Sequence, residues 1–238
     1  MSATTGRWVR AGDLRAFLGS SDVRYVCLGQ TELIRRIHVA VRDTAWGTVP
    51  LEGAQVRIGH PRSGFSLAFG GRYRGSGIDL DLGCRVTGTA DGRIEFAMDG
   101  RANSDSAYNR IGICVLLPSD LAGRPITAGS RSEATPGRLP FTVGPQLIEG
   151  GRIQALLPPF TELEVDVAKG IGLRLEFTGD EFEIEDQRNW ADASFKIYST
   201  PLARGFPFRL GAGERIRQSV VLLAPTGRVQ APLIRAQA

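Results

Sequence analysis

The sequence predicts an all-β protein, a large antiparallel β-sandwich with very little helix. Three observations carry this. Short runs of alternating apolar and polar residues recur along the whole length, the pattern of a strand with one buried face. Turn signals rich in Gly, Asp and Asn separate those runs every several residues. Helical periodicity is confined to Asp13–Leu18, read here as one short turn of helix.

Taken in order, Val23–Leu28 and Leu33–Val41 flank Gly29-Gln30 and read as a hairpin. Ala54–Ile58 follows, then Phe65–Tyr73, where Phe65, Leu67 and Phe69 alternate. Ile78–Thr89 leads through the turn Ala90-Asp91-Gly92 into Ile94–Gly100. Ile111–Leu117 is a continuous apolar run of strand length, as in a strand buried on both faces. Ser119–Gly151 is rich in Gly, Pro, Ser and Thr and reads as a long surface excursion rather than a linker, because strands of one style stand on both sides. Ile153–Leu157, Glu162–Val167, Leu173–Phe177 and Phe182–Glu185 come in quick succession, and Ile216–Leu223 closes the series. One domain spanning 1–238 is expected, with its core over about 8–224 and a frayed tail over 225–238.

A formal charge of +4 comes from Arg spread along the chain without a basic run, which argues against nucleic acid and is compatible with anionic small molecules. Cys27, Cys84 and Cys114 are far apart and in apolar contexts, so they read as buried free thiols of a reducing compartment. The N-terminus lacks the apolar core of a signal peptide, and no stretch has the ~18 apolar residues of a membrane helix. A cytoplasmic, soluble protein without a membrane partner is expected.

The stretch Phe182–Thr200 holds the chemistry. Alternation through Glu185 gives way to Asp186, Gln187, Arg188, Asn189, Trp190, Ala191 and Asp192, then resumes at Ser194–Tyr198. Both charge signs, two amides and an indole suit a polyhydroxylated or carboxylated ligand. The competing reading is an ion-paired corner in which Arg188 and Lys196 neutralise Glu185, Asp186 and Asp192. Lys196 is one of only two lysines, the other being Lys169. On an ideal strand Glu185 and Asp186 face opposite ways, so they converge on one ligand only across a bulge or turn. Arg42 and Asp43, followed by Trp46, and Asn109-Arg110 after Tyr108 are further candidates, either as ion pairs and turns or as forks for a ligand carboxylate. His38 alternates with apolar neighbours and reads as a core or interface residue, and His60 as an exposed loop residue. The spacing of Glu185, Asp186, Asn189 and Asp192 matches no calcium loop, so no metal is expected. Nor does any GxSxG, P-loop, GxGxxG or HExxH signature occur, and no cofactor is expected.

The block Glu185-Asp186-Gln187-Arg188-Asn189-Trp190-Ala191-Asp192-Ala193-Ser194-Phe195-Lys196 resembles the N-terminal β-domain of the D-apionate lactonases. So do Arg35–Asp43, Trp46-Gly47-Thr48-Val49-Pro50, Asn109-Arg110-Ile111-Gly112, Ala122-Gly123-Arg124-Pro125 and Arg217-Gln218-Ser219-Val220. The resemblance implies hydrolysis of a sugar-acid lactone in bacterial catabolism of a branched pentose. For such a reaction the chemistry of the side chains points to Glu185, Asp186, Arg188 and Lys196 for catalysis, and to Arg42, Asp43, Trp46, Asn109, Arg110, Asn189, Trp190 and Asp192 for substrate binding. Members of the family are longer, with a barrel domain and a C-terminal domain, so this chain is read as a stand-alone first domain. The pattern departs at two places. Leu117 precedes Pro118 where a His is expected, and Gly144-Pro145-Gln146-Leu147 replaces a His-containing segment. A weaker, fold-level similarity, over Gly88–Pro118, is to the galactose mutarotase-like supersandwich.

The expected ligand is therefore a sugar lactone or sugar acid. Two alternatives stay open: a non-catalytic carbohydrate-recognition or partner-binding module, and an aldose epimerase-like isomerase. A homodimer or a separate barrel-type partner is compatible with either.

Overall fold

Period-two burial marks Leu14–Leu18, Ile78–Gly88, Ile94–Ala102, Glu162–Ala168 and Ile171–Thr178, whereas Arg110–Pro118 is buried throughout. The computed structural model describes residues 6–59, 63–130, 133–144, 148–149 and 152–223. The first strands are β1 (Arg7–Ala11), β2 (Leu14–Leu18), β3 (Asp22–Leu28), β4 (Thr31–Arg42) and β5 (Leu51–Gly59). Then come β6 (Phe65–Gly75), β7 (Ile78–Gly88), β8 (Ile94–Ala102), β9 (Ser106–Tyr108) and β10 (Arg110–Pro118). The middle of the chain adds β11 (Pro125–Gly129), β12 (Ala134–Arg138), β13 (Ile148–Glu149), β14 (Arg152–Ile153) and β15 (Glu162–Ala168). The last are β16 (Ile171–Thr178), β17 (Glu183–Asp186), β18 (Ser194–Tyr198), β19 (Phe208–Leu210) and β20 (Arg215–Leu223). Helix is limited, among the described residues, to 3₁₀ turns at Ser119–Leu121, Gln187–Trp190 and Leu202–Arg204. None is long and apolar enough to cross a membrane.

Two antiparallel sheets result. One runs β1-β2-β3-β4-β10-β18-β17, and the other β12-β11-β15-β16-β20-β8-β7-β6-β5. Their facing sides share one apolar core: Ile37, Val41, Ile113, Val115 and Ile197 from the first sheet meet Leu67, Val86, Phe96, Leu175 and Val220 from the second. Gln218 on β20 crosses this core and accepts the Ile113 N–H at 2.9 Å, tying the two sheets at a polar point. The fold class is the one the sequence predicts.

Asp13–Leu18 is a correction. Leu14, Ala16 and Leu18 are buried in alternation and Arg15 is exposed, so the segment is strand β2, paired with β1. Three apolar residues at spacing two satisfy a sheet better than one helical turn does. The excursion 119–151 also contains a true hairpin, β11–β12. Gly29 turns the β3–β4 hairpin at φ +59, as its place between the two strands suggested. The tail 225–238, His60 and Gln146 lie outside the described residues.

Candidate functional site

The corner β17–β18 is built on register. Glu185 stands opposite Lys196, and Lys196 Nζ reaches Glu185 Oε1 at 2.6 Å. Gln187 Nε2 donates to the same oxygen at 2.8 Å. One residue on, the side chain turns to the other face. Asp186 stands opposite the core residue Phe195 and takes a two-pronged contact from Arg188, Nε at 2.8 Å and Nη2 at 2.7 Å. Asp186 also caps the 3₁₀ turn by accepting the Arg188 N–H at 3.1 Å, and Ala191 ends that turn at φ +60. Arg188 goes on to donate to the carbonyl oxygens of Pro140 and Phe141 and lies 4.6 Å over the Phe195 ring. The two carboxylates therefore do not converge, because no bulge separates them. Of the two ion pairs expected for a neutralised corner, both form; Asp192 is exposed and outside them.

A second gathering lies on the outward face of the same sheet. Cys114 of β10 stands opposite His38 of β4 on one side and Tyr198 of β18 on the other, with Glu183 of β17 beyond. Tyr198 is the hub. The Arg110 guanidinium lies 3.6 Å over its ring, and Lys196 Nζ lies 5.3 Å from it. Arg110 also lies 5.5 Å from the indole of Trp46, which meets Phe206 edge to face at 5.4 Å. Trp46 is 38% exposed and Phe206 44%, so the pair forms an aromatic lip above a guanidinium that is itself only 4% exposed. Arg110 makes no ion pair within 4 Å among the described residues, and its buried Nε has no hydrogen-bond partner.

The electrostatics follow from burial. Glu183 accepts the Leu202 N–H at 2.8 Å and the Tyr198 hydroxyl, and burial pushes its carboxyl above the usual range. Burial, with Glu185 and Glu183 nearby, pushes the Tyr198 phenol up strongly. Burial lowers His38 to about 3, with Arg36, Lys196, Arg42 and Arg24 adding repulsion, so its imidazole is neutral at pH 7. Its Nδ1 is buried without a partner. His38 thus serves the polar face, not the core.

Of the residues singled out in the sequence, Trp46, Arg110, Glu185 and Lys196 come together here, with Arg42 on β4 directly opposite Arg110. Others do not. Asp43 closes a turn, accepting the Ala45 and Gly47 N–H groups and, as the largest influence on its lowered pKa, a Ser76 hydrogen bond. Asn109 donates to the Thr44 carbonyl at 3.0 Å and Asn189 to that of Asp186 at 3.1 Å. Trp190, the last residue of the 3₁₀ turn, is 59% exposed. Sequence reading missed Glu183, Tyr198 and Phe206. Glu183 and Tyr198 each sit two residues from Glu185 and Lys196 on their strands, which was the available signal. Among the described residues no group of three or more His, Cys, Asp or Glu is placed to hold a metal. A groove of about 810 Å³ lies elsewhere, on the outward face of the nine-stranded sheet.

Residues 2–226 match the family model described as D-apionate lactonase, N-terminal domain. The chain belongs to that family. A D-apionate lactonase of Brucella anthropi is 31% identical over 221 residues, covering 90% of this chain and 34% of the relative. The chain thus spans about a third of that relative's length. Among solved structures, a Synechocystis sp. PCC 6803 protein superposes with a TM-score of 0.60 at 8% identity, covering 95% of this chain and 99% of the other. Galactose 1-epimerase from Lactobacillus acidophilus NCFM gives 0.53 at 8% identity, covering 90% and 92%. At such identity these two establish a shared galactose mutarotase-like fold and nothing further.

Of the two positions at which the resemblance implied a histidine, one lies among the described residues. Leu117 is wholly buried and stands opposite Phe195, on the core side of β10 rather than the polar one. Gln146 is outside the described residues.

Proposed function

We propose that the outward face of the seven-stranded sheet binds a sugar lactone or its open sugar acid, with D-apionate and its lactone, to which the name of the Brucella relative points, as the first to test. One observation carries the reading: Arg110 is a buried guanidinium with no carboxylate partner among the described residues, set between a Tyr ring and an exposed Trp. A buried cation of this kind suits a ligand carboxylate or a carbonyl oxygen gaining charge. Trp46 and Phe206 would cover an apolar sugar face, and neutral His38 would accept or donate to a hydroxyl. Binding is tested by calorimetry with D-apionate and its lactone. Arg110→Met is expected to weaken binding at least tenfold, about 1.4 kcal/mol; unchanged affinity would remove the site.

For hydrolysis the geometry favours Glu185 over Asp186, which faces the other way. Glu185 would take a proton from water as the water oxygen bonds to the lactone carbonyl carbon, with Lys196 and Arg110 stabilising the oxyanion. The ring C–O bond then breaks, the leaving alkoxide takes up the proton, and the new carboxylic acid ionises. Glu185→Gln is expected to abolish proton release from the lactone while leaving binding measurable. A non-catalytic recognition module is the second reading, favoured because Lys196 and Gln187 both already engage Glu185 Oε1. Binding without proton release in the unaltered protein would select it.

A further inference from the structure

The groove of about 810 Å³ on the nine-stranded sheet is remote from the polar face just described, since it opens on the opposite side of the sandwich. Its walls are laid out by register. One row across the strands reads Gln55, Gly70, Gly83, Asp99; the next reads Arg57, Ala68, Arg85, Ala97. A third row sets Arg72 beside Asp81. An ordinary solvated sheet face carries long polar side chains at its outward positions. Here the middle of three adjacent strands carries Gly and Ala instead.

Gly83 decides how that is read. A Cβ at Gly70 would stand 2.7 Å from the Leu82 carbonyl oxygen, so that glycine serves the packing of the backbone. A Cβ at Gly83 would meet no heavy atom within 4 Å, and its φ is not positive. Neither packing nor backbone conformation asks for glycine there, and glycine weakens a strand interior. Such a glycine marks a place where another molecule approaches the backbone closely.

The charges around this floor are unequal in their commitments. Arg72 is held by Asp79 through a fork of two 2.6 Å bonds, and Asp99 is held by Arg215 and Arg217. Arg57, Arg85, Asp81 and Glu52 line the groove and make no ion pair among the described residues, Glu52 standing opposite Arg72 at the far end from Arg57 and Arg85. Arg57 and Arg85 lie two strands apart with Ala68 between them, about 10 Å across the sheet. Two Arg side chains rising from backbones at that separation, over a small residue, suit an anion seated between them. Gln55 and Asp81 beside them supply the mixed donors and acceptors that hydroxyl groups require.

We infer that this groove is a second binding site, for an acidic oligosaccharide carrying uronic acid units. One carboxylate lies between Arg57 and Arg85, and a neighbouring sugar ring rests on Gly70 and Gly83. The volume falls in the range of small-molecule sites and exceeds what one sugar ring fills. This inference does not rest on the lactone reading of the other face.

The test is calorimetric titration of the full chain with trigalacturonate, with maltotriose as the neutral control and inorganic sulfate as the simple anion. Trigalacturonate is expected to bind at least tenfold more tightly than either control. Gly83→Val, which adds bulk to the floor without altering charge, is expected to weaken it tenfold or more, as is the double variant Arg57→Gln/Arg85→Gln. Arg110→Met should leave this binding unchanged, which separates it from the proposal for the other face. Equal binding of maltotriose or sulfate, absence of trigalacturonate binding, or full affinity in the charge variant would each overturn the site. Folding of Gly83→Val is checked by its urea midpoint; should it unfold, Gly83→Ala and the charge variant decide.

Discussion

Asp186–Arg188 and Arg215–Asp99 are the same chemistry in two settings. Each is a bidentate carboxylate–guanidinium pair with a contact of 2.7 Å. The first has side-chain exposures of 13% for Arg188 and 3% for Asp186, and the second 46% for Arg215 and 38% for Asp99. The difference teaches that geometry alone does not rank ion pairs here. At the β17–β18 corner, water cannot replace a lost partner. On the nine-stranded face it can.

Three measurements would sharpen or break that contrast. The largest effect is expected for Asp186→Ala, which leaves Arg188 without its carboxylate and the 3₁₀ turn without its cap. A loss of about 3 kcal/mol in urea unfolding is expected, as for other pairs broken in low-water surroundings. A loss under about 1 kcal/mol would show the corner to be as well solvated as the other face.

The next effect is a pH dependence. His38 is lowered to about 3 in the folded chain from an ordinary value of 6.5. The folded state therefore binds fewer protons than the unfolded state between those values. Stability is full above pH 6.5 and falls as pH drops towards 3, by about 1 kcal/mol per unit. Urea unfolding of the unaltered chain and of His38→Gln between pH 7 and 4.5 checks this. The two curves should diverge on acidification, and parallel curves would mean that the imidazole titrates normally.

The smallest effect is expected for Arg215→Ala, whose exposed pair is screened by solvent and further by 0.5 M salt, so the urea midpoint should barely move. A salt-insensitive loss as large as that of Asp186→Ala would erase the distinction between the two settings.

Much of the sheet order's raw material was legible in the sequence, because alternation at Ile78–Thr89, Ile94–Gly100 and Glu162–Val167 is forced by one-sided burial. The corner was legible too. Glu185 and Lys196 sit on strands joined by a short polar turn, so local spacing sets their meeting. Arg110 over Tyr198 was not, since it depends on β10 and β18 pairing across a long stretch of chain. The groove was hidden for the same reason: Gly70, Gly83 and Ala97 become one floor only once β6, β7 and β8 are in register. Asp13–Leu18 failed because six residues with apolar positions at spacing two and four satisfy both a turn of helix and a short strand.

The aromatic lip has a practical consequence. The chain holds three tryptophans, and Trp8, at the β1 edge, and Trp190, on its turn, are both far into solvent. Trp8 meets the Arg15 guanidinium at 5.0 Å and Phe17 edge to face at 5.6 Å, but of the three only Trp46 borders Arg110 among the described residues. Its fluorescence emission is thus a native optical reporter of occupancy at that face. Replacing Trp8 and Trp190 with Phe would leave a single-emitter protein, in which quenching by iodide reads directly whether the mouth above Arg110 is open or shielded.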